Sequence, residues 1–93
     1  MLVIIKSAPD TTEGRRGVKL ARDMAADIVL IQNGVYFAQK EQLEGFCGTA
    51  FVLEDDARMR GLIKDSIDKD IRNIDYDKLV DLMAENDKVT GMF

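Results

Sequence analysis

The chain has 93 residues, a formal net charge of −4, and 46% apolar and 32% charged residues. This size predicts one globular domain over residues 1–93 and leaves no room for a second. The charge balance argues against direct nucleic-acid binding, which needs clustered Lys and Arg. The sequence contains no run of 18 apolar residues, so no membrane-spanning helix is expected. Because the first apolar run meets Lys6 too soon for a signal peptide, we expect the chain to stay in the cytosol.

The chain has one cysteine, Cys47, and no histidine. A single cysteine excludes an internal disulfide and fits a reducing compartment. A zinc site or a histidine-assisted nucleophile cannot be assembled from these residues. We therefore expect no metal and no cofactor.

The first half of the chain predicts two strands separated by a helix. Residues 2–5 form a continuous β-branched apolar run, which is typical of a strand buried on both faces of a parallel sheet. Asp10 or a following threonine is the predicted N-cap of a helix over about 13–25. Residues 27–32 form the second apolar run and the second predicted strand.

The middle of the chain continues the alternation. Helical spacing predicts a short helix over 35–43, which Gly45 ends. Residues 50–53 are the third predicted strand. Asp55 is then the expected N-cap of a short helix that runs to Leu62.

The last third predicts a further strand and helix. Residues 71–74 have a weaker, edge-like strand pattern, and Asp75 caps a helix whose apolar positions cover 76–83. The tail 89–93 is a candidate fifth strand.

The alternation predicts an α/β fold: three α/β/α layers around a mostly parallel open sheet of four or five strands. A body this small gains from association, so we expect an oligomer.

In such sheets, ligands and chemistry gather at the carboxyl ends of the strands. The candidate residues of this edge are Ser7, Gln32, Asn33, Gly34, Asp55 and Asp56. Gly34 indicates either a tight strand-to-helix turn or a helix start that attracts an anion. The acidic pair indicates helix capping or, alternatively, an acid/base or metal site.

Three further residues are candidates for an interface. Arg60 is expected to form an ion pair with Asp56 four residues earlier, or to reach a neighbouring subunit. Tyr36 and Phe93 are candidates for subunit contact, because exposed apolar clusters usually mark an interface. The alternative for Phe93 is that the terminus folds onto its own sheet.

The sequence resembles the TusB/DsrH family of small sulfur-relay subunits. The likeness follows the family's order over nearly the whole chain and includes a strand that runs into a Gln32-Asn33-Gly34-Val35 turn, like the family's QDGV or QNGV. The segments that carry it are 6–9, 28–35, 53–56, 60–62 and 74–76. The resemblance implies a DsrE/DsrF/DsrH-like fold and assembly into homo-oligomers, or into hetero-oligomers with DsrE/DsrF (TusD/TusC)-like subunits.

The resemblance also implies a role in persulfide sulfur transfer. One reaction that this transfer would serve is 2-thiolation of the tRNA wobble uridine. The favoured interpretation is an accessory, non-catalytic subunit that holds partner cysteine subunits in transfer geometry. One alternative is a direct sulfur carrier through Cys47, although this residue is predicted at the amino edge of the sheet and packs equally well as a small hydrophobe. Another is a free-standing homo-oligomer with no relay role.

Overall fold

The computed structural model describes residues 1–39, 42–62, 66–91 and 93. It contains five strands: β1 (Leu2–Ile5), β2 (Asp27–Leu30), β3 (Ala50–Leu53), β4 (Arg72–Ile74) and β5 (Val89–Thr90). Its helices are α1 (Thr12–Asp23), α2 (Glu54–Met59), α3 (Tyr76–Glu85) and a 3₁₀ helix (Gln32–Ala38). The strands form one sheet in the order β4-β3-β2-β1-β5, and every pair is parallel. The predicted α/β fold with a parallel sheet is confirmed.

The continuous apolar runs of the strands are buried because both faces of the sheet are covered. On one face the strand side chains pack against α1, the 3₁₀ helix and α2, and on the other they pack against α3. The first face includes Val3, Ile5, Ile28, Leu30 and Val52, with Val18, Ala21, Val35, Phe37 and Ala57 from the helices. The second face includes Leu2, Ile4, Val29, Phe51 and Ile74, with Leu79 and Leu82 from α3.

The first helix begins and ends at recognisable caps. The Thr11 hydroxyl accepts a hydrogen bond from the N–H of Gly14 at 3.1 Å, so the following-threonine alternative for the N-cap is confirmed. The helix ends at Asp23 because Ala25 has a positive φ of 51°. The N–H of Ala26 then donates to the carbonyl oxygen of Ala21 at 2.8 Å, which is the C-terminal hydrogen-bond pattern normally built around glycine.

The predicted short helix over 35–43 is present, but its bounds are wrong. The chain forms a 3₁₀ helix that starts three residues earlier, at Gln32, and β2 ends at Leu30. Gln32 has a positive φ of 49°, so the chain turns immediately after the strand. Residues 40–41 of the predicted helix lie outside the described residues.

The predicted Asp55 cap of the next helix is also wrong. The N-cap of α2 is Leu53, which offers no side-chain hydrogen bond, and the helix ends at Met59 rather than at residue 62. Gly61 ends it with a φ of 73°, while the N–H of Leu62 donates to the carbonyl oxygen of Ala57 at 3.0 Å.

The C-terminal third follows the prediction more closely. The Asp75 carboxylate accepts a hydrogen bond from the N–H of Lys78 at 2.8 Å, as expected of the N-cap of α3. The predicted fifth strand is present over two residues and pairs with β1. No helix within the described ranges is long and apolar enough to cross a membrane.

Candidate functional site

The carboxyl edge of the sheet brings together most of the polar residues that the sequence singled out. The parallel register places Ile5 beside Leu30 and Leu30 beside Val52, so the segments after β1, β2 and β3 leave the sheet next to one another. The 3₁₀ helix and α2 start at this edge and pack against each other. We call the residues that join them, Gln32, Asn33, Asp56 and Arg60, the edge cluster.

The centre of the edge cluster is the buried carboxylate of Asp56, whose residue is only 9% exposed. Its Oδ2 accepts a hydrogen bond from the backbone N–H of Gln32 at 2.7 Å. Gln32 is one of two non-glycine residues with a positive φ among the described residues, a conformation that costs L-amino acids about 1–2 kcal/mol. Asp56 therefore holds the strained first residue of the 3₁₀ helix in place.

Arg60 fixes the same two elements from the solvent side. Its Nε donates to the Asn33 side-chain oxygen at 2.9 Å, and its Nη1 donates to the backbone carbonyl of Asp56 at 3.2 Å. The expected ion pair between Arg60 and the Asp56 carboxylate is wrong, since the ion pairs of the described residues do not include it. The carboxylate is turned inward to the N–H of Gln32, and only the backbone of Asp56 faces the guanidinium.

Asp55 lies outside this cluster, although it adjoins Asp56 in sequence. Its carboxylate is exposed and sits 3.3 Å from the guanidinium of Arg58 on the same helix. An exposed pair of this kind contributes little to stability. Asp55 lies on the exposed side of α2 and Asp56 on its buried side, so the two neighbouring carboxylates have different roles.

Gly34 is where the 3₁₀ helix touches β1. A Cβ at this position would lie 2.8 Å from the carbonyl carbon of Ile5 and closer still to its oxygen. The N–H of Gly34 donates to the carbonyl oxygens of Lys6, at 3.1 Å, and Ile31, at 2.9 Å. This geometry is that of a tight strand-to-helix turn, and the N–H groups of Gln32 and Gly34 already have protein acceptors.

The C-terminal residue closes the other side of the edge, beside Ser7. The carbonyl oxygen of Phe93 accepts hydrogen bonds from the N–H groups of Lys6 at 2.7 Å and Ser7 at 2.9 Å. Its half-buried ring packs on the face of the sheet that α1 covers, close to Gly17. Phe93 therefore lies on its own sheet, and Tyr36 is half-buried within the 3₁₀ helix.

Cys47 lies at the opposite edge, in the segment that precedes the amino end of β3. The thiol is exposed, and its hydrogen bond within the described residues is a 3.7 Å contact with the carbonyl oxygen of Gly45. It lines an open depression of about 340 Å³ together with Arg22 and Phe46. The structure thus separates the thiol from the edge cluster.

Sequence patterns did not reveal the hydrogen bond between Asp56 and Gln32, which lie 24 residues apart. The only available signal was the position of both residues just after neighbouring strands. A second feature is visible in the sequence: Arg15, Lys19 and Arg22 recur at helical spacing on α1.

Comparison with known proteins gives the family. A family model described as "DsrH like protein" matches residues 11–89. The chain belongs to the DsrH-like family. The solution NMR structure of protein Tm0979 from Thermotoga maritima is similar, with 28% identity, a TM-score of 0.69, and coverage of 95% of this chain and 97% of that one. No curated protein matches the chain. In general terms, then, this DsrH-like chain is a sulfur-relay subunit.

Proposed function

We propose that this DsrH-like protein is an accessory subunit of a cytosolic persulfide-relay complex and carries no sulfur itself. It works by position, holding partner subunits that bear the transferring cysteines. The partners are DsrE-like and DsrF-like chains, and the tRNA wobble uridine is a candidate final acceptor.

One observation carries the accessory role: the only thiol lies on the opposite edge of the sheet from the edge cluster. In open parallel sheets, chemistry gathers at the carboxyl edge, where Asp56 and Arg60 lie. The groups there make hydrogen bonds that join one element to another, and each serves to fix the shape of the edge. A rigid edge that carries no thiol is suited to orienting the cysteine of a partner subunit.

Reconstitution tests this role directly. The chain would be mixed with DsrE-like and DsrF-like subunits of the same cell and a persulfide donor, and sulfur transfer to the acceptor protein would be timed. We expect transfer to slow at least about tenfold when this chain is omitted, because positioning supplies a large part of the rate of a bimolecular step. We expect Cys47→Ser to restore the rate as well as the wild type does.

Two results would contradict the proposal. Transfer at the full rate without this chain would remove the relay role and leave a free-standing oligomer. Failure of Cys47→Ser to restore transfer, with the complex still assembled, would assign sulfur transfer to Cys47. Size-exclusion chromatography of the mixture distinguishes failed assembly from failed transfer.

The second candidate is a sulfur carrier, and the exposure of Cys47 in a depression that Arg22 also lines favours it. The Cys47 thiolate would attack the outer sulfur of a donor persulfide. A new S–S bond would form on Cys47 while the donor's S–S bond breaks, and the donor would leave as a thiolate. Mass spectrometry would then detect a gain of about 32 Da (one sulfur) that Cys47→Ser lacks. An unmodified chain after exposure to excess donor would eliminate this candidate.

A further inference from the structure

A groove beside α1 is lined by residues of this helix and of the 3₁₀ helix. Its volume of about 350 Å³ lies within the range of about 300–1,000 Å³ that is typical of small-molecule sites. The floor is apolar and includes the buried side chains of Val18 from α1 and Phe37 from the 3₁₀ helix. The groove therefore has the size and the floor of a site for a small organic ligand.

The groove is positively charged, although the net charge of the chain is −4. Its described lining carries three cations, Arg15, Lys19 and Arg22, and one carboxylate, Asp23. Lys19 and Asp23 form an exposed ion pair at 2.9 Å, so these two charges largely offset each other. The uncompensated charge of the groove belongs to the two arginines.

The two arginines lie on either side of Val18 along α1. They are seven positions apart on one face of the helix, so their backbones are separated by about 10 Å along its axis. Arg15 is exposed and takes no part in the ion pairs found among the described residues. Arg22 donates from Nη2 to the backbone carbonyl of Glu44 at 3.2 Å, and this neutral acceptor leaves its charge uncompensated.

This arrangement indicates the chemistry of a matching ligand. A guanidinium binds a carboxylate well, because its planar N–H groups donate two parallel hydrogen bonds. A ligand with a carboxylate at each end would pair with Arg15 and Arg22 together. An apolar chain between the carboxylates would then cover the floor of Val18 and Phe37. We propose that the groove binds a linear organic dianion of this kind, and this site is independent of any role in sulfur transfer.

An acidic protein segment is the alternative occupant, since two carboxylates on such a segment could meet the same arginines. The size of the groove favours the small ligand, because a standard protein interface buries roughly 800 Å² per partner. Both arginines are exposed, so their ion pairs with a ligand are weak and are screened by salt. A dissociation constant on the order of 1 mM is therefore expected.

An NMR titration of the isotope-labelled full chain at constant ionic strength tests the site. The probe is azelate, a linear dicarboxylate whose extended chain is about as long as the separation of the two arginines. Succinate, a dicarboxylate with a shorter chain, and nonanoate, which has the same chain length and one carboxylate, are the matched control ligands. We expect azelate to shift the amide signals of Val18, Lys19 and Phe37. It should bind at least about fivefold more tightly than either control, because only azelate reaches both arginines and covers the floor.

Two substitutions remove the arginine charges one at a time, Arg15→Gln and Arg22→Gln. The matched control is Arg16→Gln, which makes the same charge change at the next exposed residue of α1, outside the described lining. We expect each groove variant to weaken azelate binding at least about threefold and to reduce the preference for azelate over nonanoate, because one carboxylate loses its partner. The control should leave both unchanged. Unaltered signals away from the groove show that each variant is folded.

Several results would overturn the proposal. One is a spectrum that does not change at azelate concentrations about tenfold above the expected dissociation constant. Others are nonanoate binding as tightly as azelate, or azelate binding that survives both arginine substitutions. The acidic peptide acetyl-ELEELLE-amide tests the alternative occupant. Tighter binding of this peptide than of azelate at the same residues would assign the groove to a protein segment, and weaker binding supports the small dianion.

Discussion

Replacing Asp56 tests how the carboxyl edge is held together. Asp56 is 9% exposed, and its carboxylate accepts a 2.7 Å hydrogen bond from the N–H of Gln32. A hydrogen bond to a charged group contributes roughly 1.5–3 kcal/mol, so Asp56→Ala should lower the free energy of unfolding by about 2–3 kcal/mol. Asp56→Asn keeps a neutral oxygen acceptor, and neutral hydrogen bonds are about half as strong, so its cost should be about 1 kcal/mol.

Urea unfolding followed by circular dichroism measures these differences. In a domain of this size, a loss of 2 kcal/mol lowers the melting temperature by roughly 8–16 °C. Asp55→Ala is the matched control, because Asp55 is exposed and should change stability by less than about 0.5 kcal/mol. Equal costs for the two alanine variants would refute the reasoning, as would an Asn variant as unstable as the Ala variant.

A double-mutant cycle with Gln32→Gly isolates the strain. Gln32 has a φ of 49°, which glycine adopts without the cost of about 1–2 kcal/mol that other residues incur. If Asp56 holds this residue in its strained conformation, Asp56→Ala should cost about 1 kcal/mol more in the Gln32→Gly background, because with Gln32 present the lost hydrogen bond is partly offset by relief of the strain. A coupling energy of zero would show that the hydrogen bond and the strain are independent.

Four further variants test backbone geometry and helix capping by chemical and thermal unfolding. Gly34→Ala should cost about 3 kcal/mol, because its Cβ meets the Ile5 carbonyl, which already accepts a hydrogen bond from the N–H of Ile31. Gly61→Ala, with open space around it, should cost only about 1 kcal/mol. Equal costs would contradict the steric argument. Ala25→Gly should raise stability by about 0.5–1 kcal/mol, since Ala25 has a positive φ at an exposed helix end; a loss would show that the strain is absent. Thr11→Ala should cost about 1 kcal/mol through the lost cap, and no change would contradict that assignment.

The strands were predictable because burial on both faces leaves a direct trace in the sequence. Residues 2–5 and 50–53 are continuous apolar runs, and both match the observed strands. Local capping was predictable where the side chain bonds to its own helix, as at Asp75. It failed at Asp55, because α2 already begins at Glu54 with Leu53 as its N-cap, so Asp55 lies within the first turn.

The edge cluster was predictable as a location but not as an arrangement. Strand ends place Gln32 and Asp56 at one edge of any parallel sheet. Their hydrogen bond depends on the packing of the 3₁₀ helix against α2, and the sequence predicts the start of the 3₁₀ helix three residues too late. Arg60 shows the same limit, since sequence spacing predicted an ion pair with Asp56 and the structure gives a bond to its backbone.

The sequence by itself determined the alternation of strands and helices and the parallel sheet, because apolar runs, helix periodicity and turn residues are local signals. The ordered motifs, such as Gln32-Asn33-Gly34-Val35, carried the resemblance to the family. Only the tertiary structure decided which carboxylate is buried, where Phe93 lies and that Cys47 is on the far edge from the edge cluster. These outcomes depend on contacts between residues distant in the chain. Their energies come from packing and hydrogen bonds that no single segment specifies.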